Sequence, residues 1–468
     1  MIDLLIRRAR LTPAASELAG MQASGAGLAD IHVDGGRFVA VTATGDGEPP
    51  PARTVIDAAG ALASPPYVEP HVHLDSVLTA GQPRWNRSGT LWEGIACWAE
   101  RKSDLTAADV TGRVEEVLRW YAANGVLHVR SHVDVTDPAL VALDALTAIR
   151  DGAREVLGLQ LVAFPQEGIC SFPDGEKLLA EAVRRGADVV GAIPHFEDTR
   201  EDGVRSVEIA VALAERRGLR VDAHCDEIDD EQSRFVEVLA TQARQRGLHD
   251  RVTASHTTAM GSYNPAYSYK LQRILTRSGI NLVCNPMVNL HLQGRFDGYP
   301  RRRGLTQVKE MLGAGINVAF GGDDIMDPWY PMGTASPIQV AHVGAHATQL
   351  MSPGEIAECF RMVTDRAAAV LGLGEEYGIA PGRPASLLLL PAVDPFDVVR
   401  RQVAPSHVIA RGRVVATTPP RATTLDWPGQ PREQIDFVRA SDARTATWRD
   451  IRPVSPAIRT GRARRGHG

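Results

Sequence analysis

The sequence predicts an α/β fold: a (β/α)8 TIM barrel carrying a small β-sandwich-like domain built from both chain ends. Three observations lead there. Eight apolar, β-rich runs alternate with amphipathic helical stretches; short β segments recur near both termini; and the polar residues of the eight runs gather at their C-terminal ends.

The ends come first. MIDLLIRRARL, DIHVDGGRFVAVTA with its Gly-Gly turn, and RTVIDAAGALASPP read as short strands. The same grammar returns in RPASLLLLPAV and SHVIARGRVVATT, where an Arg-Gly turn separates strand-like pieces. Neither set is long enough to stand alone, so residues 1–65 and 379–418 are expected to combine around a barrel at 66–378. Residues 419–468, rich in Pro, Thr and Arg, are expected to form a partly disordered or subunit-wrapping tail.

The eight runs are YVEPHVH, LHVRSHVDV, LQLVAFPQ, DVVGAIPH, LRVDAHCDE, RVTASHTT, NLVCNPM and INVAFGGDD. Near-continuous apolar runs are what parallel strands covered on both faces require. Helical stretches such as AADVTGRVEEVLRWYAANG and EIAVALAERRG follow them, as strand-helix units demand.

Composition limits the function classes. With 44% hydrophobic residues, 23% charged residues and a formal charge of -5, the chain reads as an ordinary globular protein, with no basic excess for nucleic acid. Five scattered cysteines without CxxC spacing suggest neither a disulfide framework nor a cysteine zinc cluster. The start MIDLLIRRAR reverses the order of a signal peptide, and the apolar run LLLL is far shorter than the roughly 18 residues a bilayer needs. A cytoplasmic protein with no membrane partner is expected.

In such barrels the C-terminal strand ends build the active site. His71 and His73 end run one, His132 and Asp134 run two, Gln166 run three, and His195 and Glu197 run four. His224 and Glu227 follow on run five, His256 on run six, Asn285 on run seven, and Asp323 and Asp324 on run eight. In an extended strand His71 and His73 share a face. Together with His224 and Asp323 they form a mixed N/O set suited to Zn²⁺ or Fe²⁺. A metal-bound water, its pKa drawn toward about 7, is the expected nucleophile. Glu227 is the general acid/base candidate and His256 a polarising group, while Asp229 and Asp230 read as solvated acids. GAIPHFE ends run four without the lysine that bridges two-metal sites, so one divalent ion is expected.

PHVHLD, FPQEGI, GAIPHFE, HCDEIDDEQSRF, SHTTAM, NPMVNLHLQGRFDGYPRRRG and DDIMDPWYPMGTA together resemble the amidohydrolase superfamily, and within it the bacterial cytosine deaminase group. The resemblance spans about residues 66 to 350 and continues more weakly into the C-terminal strands. It implies metal binding by His71, His73, His224 and Asp323, proton transfer by Glu227, orientation of water by His256, and recognition of the ring's amide-like edge by Gln166. Asp324 and Trp329 would line the pocket. The activity implied is deamination of cytosine to uracil and ammonia, within pyrimidine salvage; isocytosine, isoguanine, a creatinine-like ring or an N-substituted amino-triazine are the alternatives, and a non-catalytic pyrimidine-binding barrel is a further one. A small nucleobase-like substrate and a homo-oligomeric state are expected. Two residues depart from the group's pattern: Gly322, where a histidine is usual, and Met326, where a phenylalanine is. Strand alternation turns Gly322 toward the backing of the site, and Met326 is expected nearer the ligand.

Overall fold

The computed structural model describes residues 1–438 apart from 22–26, 46, 48 and 422. The eight runs become eight parallel strands hydrogen-bonded in chain order: Tyr67–Val72, Val126–Asp134, Gly158–Phe164, Val189–Ala192, Arg220–Cys225, Val252–His256, Asn281–Cys284 and Val318–Phe320. Every residue of the fourth, sixth, seventh and eighth strands is buried, because side chains pack inward on the barrel interior and outward on the helices. The first and eighth strands close the ring. The Asp323 N–H donates to the His71 carbonyl at 2.8 Å, and the His73 N–H donates to the Asp323 carbonyl at 2.9 Å.

The helices form where the apolar period is helical, and their ends carry recognisable stops. Thr106 and Thr199 cap Ala107–Ala123 and Arg200–Arg217 by accepting from the N–H groups of Asp109 and Asp202. Gly218 ends the latter in a left-handed conformation, φ 69°, that a glycine adopts without steric cost.

The lower end of the barrel is sealed by the helix Asp365–Leu371. Arg130, fully buried in the interior, donates to the Val370 carbonyl and to Gln160, and pairs with Asp222 at 2.9 Å; the Asp222 side chain has no solvent exposure. Ser255 donates to the other Asp222 oxygen at 2.7 Å. This ionic layer forms a floor beneath the histidines.

The small domain is assembled from both chain ends. Ile2–Leu11, Ala29–Asp34, Arg37–Ala43, Ala52–Asp57 and Leu62–Ser64 join Leu387–Leu390, His407–Ala410 and Arg413–Thr417, with Leu62–Ser64 antiparallel to Leu387–Leu390. The first strand changes partners along its length. Residues 2–7 pair with Ala52–Asp57, whereas residues 10 and 11 pair with Leu62–Ser64, past an irregularity at Arg8 where φ is 54°. Leu4, Ile6, Ile31, Phe38, Leu387 and Ile409 give it a core separate from the barrel's. Of the stretch read as a tail, Thr423–Leu425 and Glu433–Ile435 pair as a hairpin, and the Phe437 carbonyl accepts from Arg400; residues 439–468 lie outside the described residues. All five cysteines are free, and among the described residues no helix is long and apolar enough to cross a membrane.

Removing one member of the buried pair should cost far more than removing both. Arg130→Met is expected to lower stability by about 3–5 kcal/mol by stranding the Asp222 carboxylate, with Arg130→Met/Asp222→Leu less destabilised than the single variant. Urea unfolding midpoints read the difference. A double variant less stable than Arg130→Met would show that the charges themselves are required.

Candidate active site

At the upper end of the barrel the strand ends place His73, Gln166, His224, Glu227, His256, Asp323, Asp324 and Trp329 around one chamber, together with Leu91 and Leu292. His71 lies directly behind them, its Nε2 3.2 Å from Asp323 Oδ1. The Nε2 atoms of His73 and His224 are 3.0 Å apart, and His73 Nε2 is 3.6 Å from the same Asp323 oxygen. The donor atoms of His71, His224, His256 and Asp323 also lie within 4.8 Å of one another, so His256 stands at the edge of the same cluster.

Whether these residues suit a metal ion is decided by their unused lone pairs. Both ring nitrogens of His71 and Nδ1 of His224 are buried without a hydrogen-bond partner. Burial, reinforced by the neighbouring imidazoles, holds His71, His73 and His224 well below the usual histidine range, so they are neutral, the form that binds metal. Three neutral imidazoles and a carboxylate converging in buried positions can hold one divalent ion.

Glu227 and His256 form a buried pair, Oε1 to Nδ1 at 3.0 Å, and His256 Nδ1 is 3.8 Å from Asp323 Oδ2. Burial alone would lower His256, but the carboxylates of Glu227 and Asp323 outweigh it and raise its pKa to about 8. The turn that aims Glu227 is held by Asp226, φ 58°, whose carboxylate accepts from the Ser233 hydroxyl and from the N–H groups of Phe235 and Val236 at the start of Phe235–Gln245.

Other strand-end residues hold the frame. Glu197 accepts from the N–H groups of Ile169, Cys170 and Ser171, fixing the loop that follows Gln166. Asp134 accepts from Trp98 and Lys102. The His132 ring lies against that of His71, with ring centroids 3.8 Å apart and the planes tilted by 30°. His195 is desolvated, which lowers its pKa to about 3. Asn285 and Asn289 approach the His256 ring, Asn289 Nδ2 at 3.0 Å from Nδ1. The i, i+4, i+7 spacing of Asn285, Asn289 and Leu292 was the available signal for this helical face.

Two expectations are corrected. Met326 does not line the chamber: its backbone is tied to Met332 and Ala80, φ is 51°, and its side chain is 39% exposed. Asp229 is not a solvated acid, since it accepts from the Gly294 N–H at 2.5 Å and anchors the loop after the seventh strand. Gly322 faces the backing of the site. A side chain there would meet the buried carboxylate of Glu69 at 2.7 Å, and the Gly322 N–H donates to that same group.

The sequence profile of the amidohydrolase family matches residues 54–416. The chain belongs to the amidohydrolase family. Among solved structures, 5-methylcytosine deaminase from Klebsiella pneumoniae liganded with 5-fluorocytosine is similar at 46% identity and TM-score 0.85, covering 91% of this chain and all of that one. N-isopropylammelide isopropylaminohydrolase from Burkholderia multivorans is similar at 25% identity and TM-score 0.73, covering 89% and 99%. Pterin deaminase of Rhizobium rhizogenes is 27% identical over 414 residues, 87% of this chain and 92% of its own. Metal-dependent hydrolytic deamination of a small aminated heterocycle is the activity that this family membership and these relatives support.

Purified protein should contain about one divalent ion per chain. His71→Ala and Asp323→Ala should each lower that occupancy, and chelation should inhibit reversibly. Elemental analysis reads the first and an ammonia assay the second. Full occupancy in both variants would remove these two residues from the metal site.

Proposed function

We propose that this amidohydrolase deaminates cytosine and its 5-methyl form, giving the corresponding uracil and ammonia. The observation that carries the reading is the buried Glu227–His256 pair beside Asp323, facing Gln166 across one chamber. The 46% identity to a 5-methylcytosine deaminase over that chain's whole length supports the choice of ring. The apolar wall of Leu91, Leu292 and Trp329 suits a flat heterocycle with a small alkyl group.

His71, His73, His224 and Asp323 would hold a single Fe²⁺ or Zn²⁺. When bound, such an ion supplies a Lewis acid that makes water a nucleophile at neutral pH. Gln166 presents a donor and an acceptor to the ring's O=C–N–H edge and fixes its orientation. Glu227 Oε1 takes one proton from the water and passes it to the ring nitrogen, then takes the remaining hydroxyl proton of the added oxygen and passes it to the departing amine. His256, hydrogen-bonded to that carboxylate, orients the attacking water and steadies the charge that develops beside it. Asp324, bonded to Asp327, and Trp329 complete the walls. Water adds to the ring carbon, the C–N bond breaks, and ammonia leaves. The reading places the enzyme in the cytoplasm as a homo-oligomer without nucleic-acid or membrane partners, with the barrel at 66–378 and the small domain at 1–65 and 379–418.

Glu227→Gln should retain metal and lose about 10² to 10⁴ in turnover, because the amide keeps the shape of the carboxylate but cannot take up and release a proton. Near-wild-type rates would eliminate Glu227 as the shuttle. Met326→Phe should change the ratio of kcat/KM for 5-methylcytosine to that for cytosine by less than about threefold, under 1 kcal/mol, since its side chain lies outside the chamber. A larger shift would bring Met326 back to the pocket.

A further inference from the structure

Among the described residues, histidine rings meet outside the barrel mouth at one place. On the outer helix Pro337–Ala347 the rings of His342 and His346 lie 4.8 Å apart between centroids. That helix, PIQVAHVGAHA, is apolar except for Gln339, His342 and His346, positions that i, i+3, i+7 spacing puts on one face. The opposite face is packed, with Gly344 so close to Phe320 of the eighth strand that a Cβ would lie 2.6 Å from the ring. His342 is half-buried and His346 exposed.

The state of the ring nitrogens distinguishes this pair from two solvated side chains. His342 Nδ1 donates to the Val399 carbonyl at 3.1 Å, and His346 Nδ1 donates to the His342 carbonyl at 2.8 Å. A carbonyl can only accept, so in each neutral ring the proton sits on Nδ1 and Nε2 keeps its lone pair. Neither Nε2 has a partner among the described residues. An imidazole whose outer N–H is tied to a backbone carbonyl is fixed in the tautomer and orientation that bind metal through the other nitrogen. Two histidines four residues apart on one helical face are a chelating arrangement.

We propose that His342 and His346 form a second metal site, separate from the chamber, that takes one borderline divalent transition ion through both Nε2 atoms. Imidazole nitrogens favour Cu²⁺, Ni²⁺ and Zn²⁺, with Cu²⁺ bound tightest, over the oxygen-seeking Mg²⁺ and Ca²⁺. Water fills the remaining coordination positions. His342 is tied to Val399 in Pro395–Arg401, the helix that connects the small-domain strands Leu387–Leu390 and His407–Ala410. The ion therefore sits where the outer layer of the barrel meets that domain. This site does not depend on the deaminase reading.

The test dialyses the full-length enzyme, its chamber loaded with Zn²⁺, against Cu²⁺ and counts both metals per chain. One copper should bind with the zinc retained, and its electron paramagnetic resonance spectrum should show coupling to imidazole nitrogen. His342→Ala and His346→Gln should each weaken that copper at least about tenfold, the least that loss of even an outer partner of a metal ligand costs, while zinc content and ammonia release stay at the wild-type level. Mg²⁺ in excess should not displace it. Failure to bind copper while the zinc is retained would overturn the proposal, as would copper that enters only by expelling zinc. Unchanged copper affinity in both variants, or loss of the copper on His467→Ala instead, would place the ion elsewhere and overturn it equally.

Discussion

The barrel closes at the residue that also completes the cluster of metal-ligand candidates. Asp323 is held between the His71 carbonyl and the His73 N–H, at 2.8 and 2.9 Å, and it sits in the left-handed region with φ at 66°. Ring closure and ligand placement are thus one event. A slip of one residue in the pairing of the first and eighth strands would turn His71 and His73 to the opposite face and take both away from the Asp323 carboxylate. Glu69 locks this register from behind, accepting from the N–H groups of His71 and Gly322 and from the Tyr121 hydroxyl. The two glycines before Asp323 leave that space free. A side chain on Gly321 would meet Asn285 Oδ1 at 2.5 Å, and one on Gly322 would meet Glu69 at 2.7 Å.

The same closure sets the electrostatics. Bringing the strand ends together buries Glu69, Asp323, Asp324 and Asp327 close to one another, and burial with mutual repulsion raises Asp323 and Asp324 well above the usual carboxylate range. Below them Arg130 balances Asp222, so the floor is neutral as a unit while the chamber above is rich in carboxyl groups. A buried chamber crowded with carboxyls and neutral imidazoles is complementary to a cation, which is the electrostatic reason the site suits a divalent ion rather than an anion.

Much of this was legible because it depends on local pattern. Eight apolar runs predicted eight strands, and their C-terminal ends predicted which side chains share a mouth, since strand direction in a barrel fixes the end at which they emerge. What sequence periodicity does not encode is where loops travel. Met326 lies two residues beyond Asp324, yet its left-handed backbone and its pairing with Met332 turn it outward. Asp229 sits in an acidic run that looks solvated, but a loop from 65 residues further on descends onto it. Leu91 likewise reaches the chamber from a helix that belongs to no strand-helix repeat, so no barrel template announces it.

That helix, Leu91–Lys102, ties opposite sides of the pocket together. Its first residue lines the chamber. One turn on, Gly94 admits the Trp329 indole so closely that a Cβ would lie 2.3 Å from its Cδ1. Further along, Trp98 donates to Asp134 at 2.9 Å, and the terminal Lys102 ammonium binds Asp134, Thr136 and Glu167, the residue after Gln166. The wall contributed by the loop after the eighth strand and the side that carries Gln166, contributed by the third, are therefore braced by one rigid rod. A change anywhere along its inner face moves Trp329 relative to Gln166, so the width of the chamber between them is a property of helix packing as much as of the residues that line it.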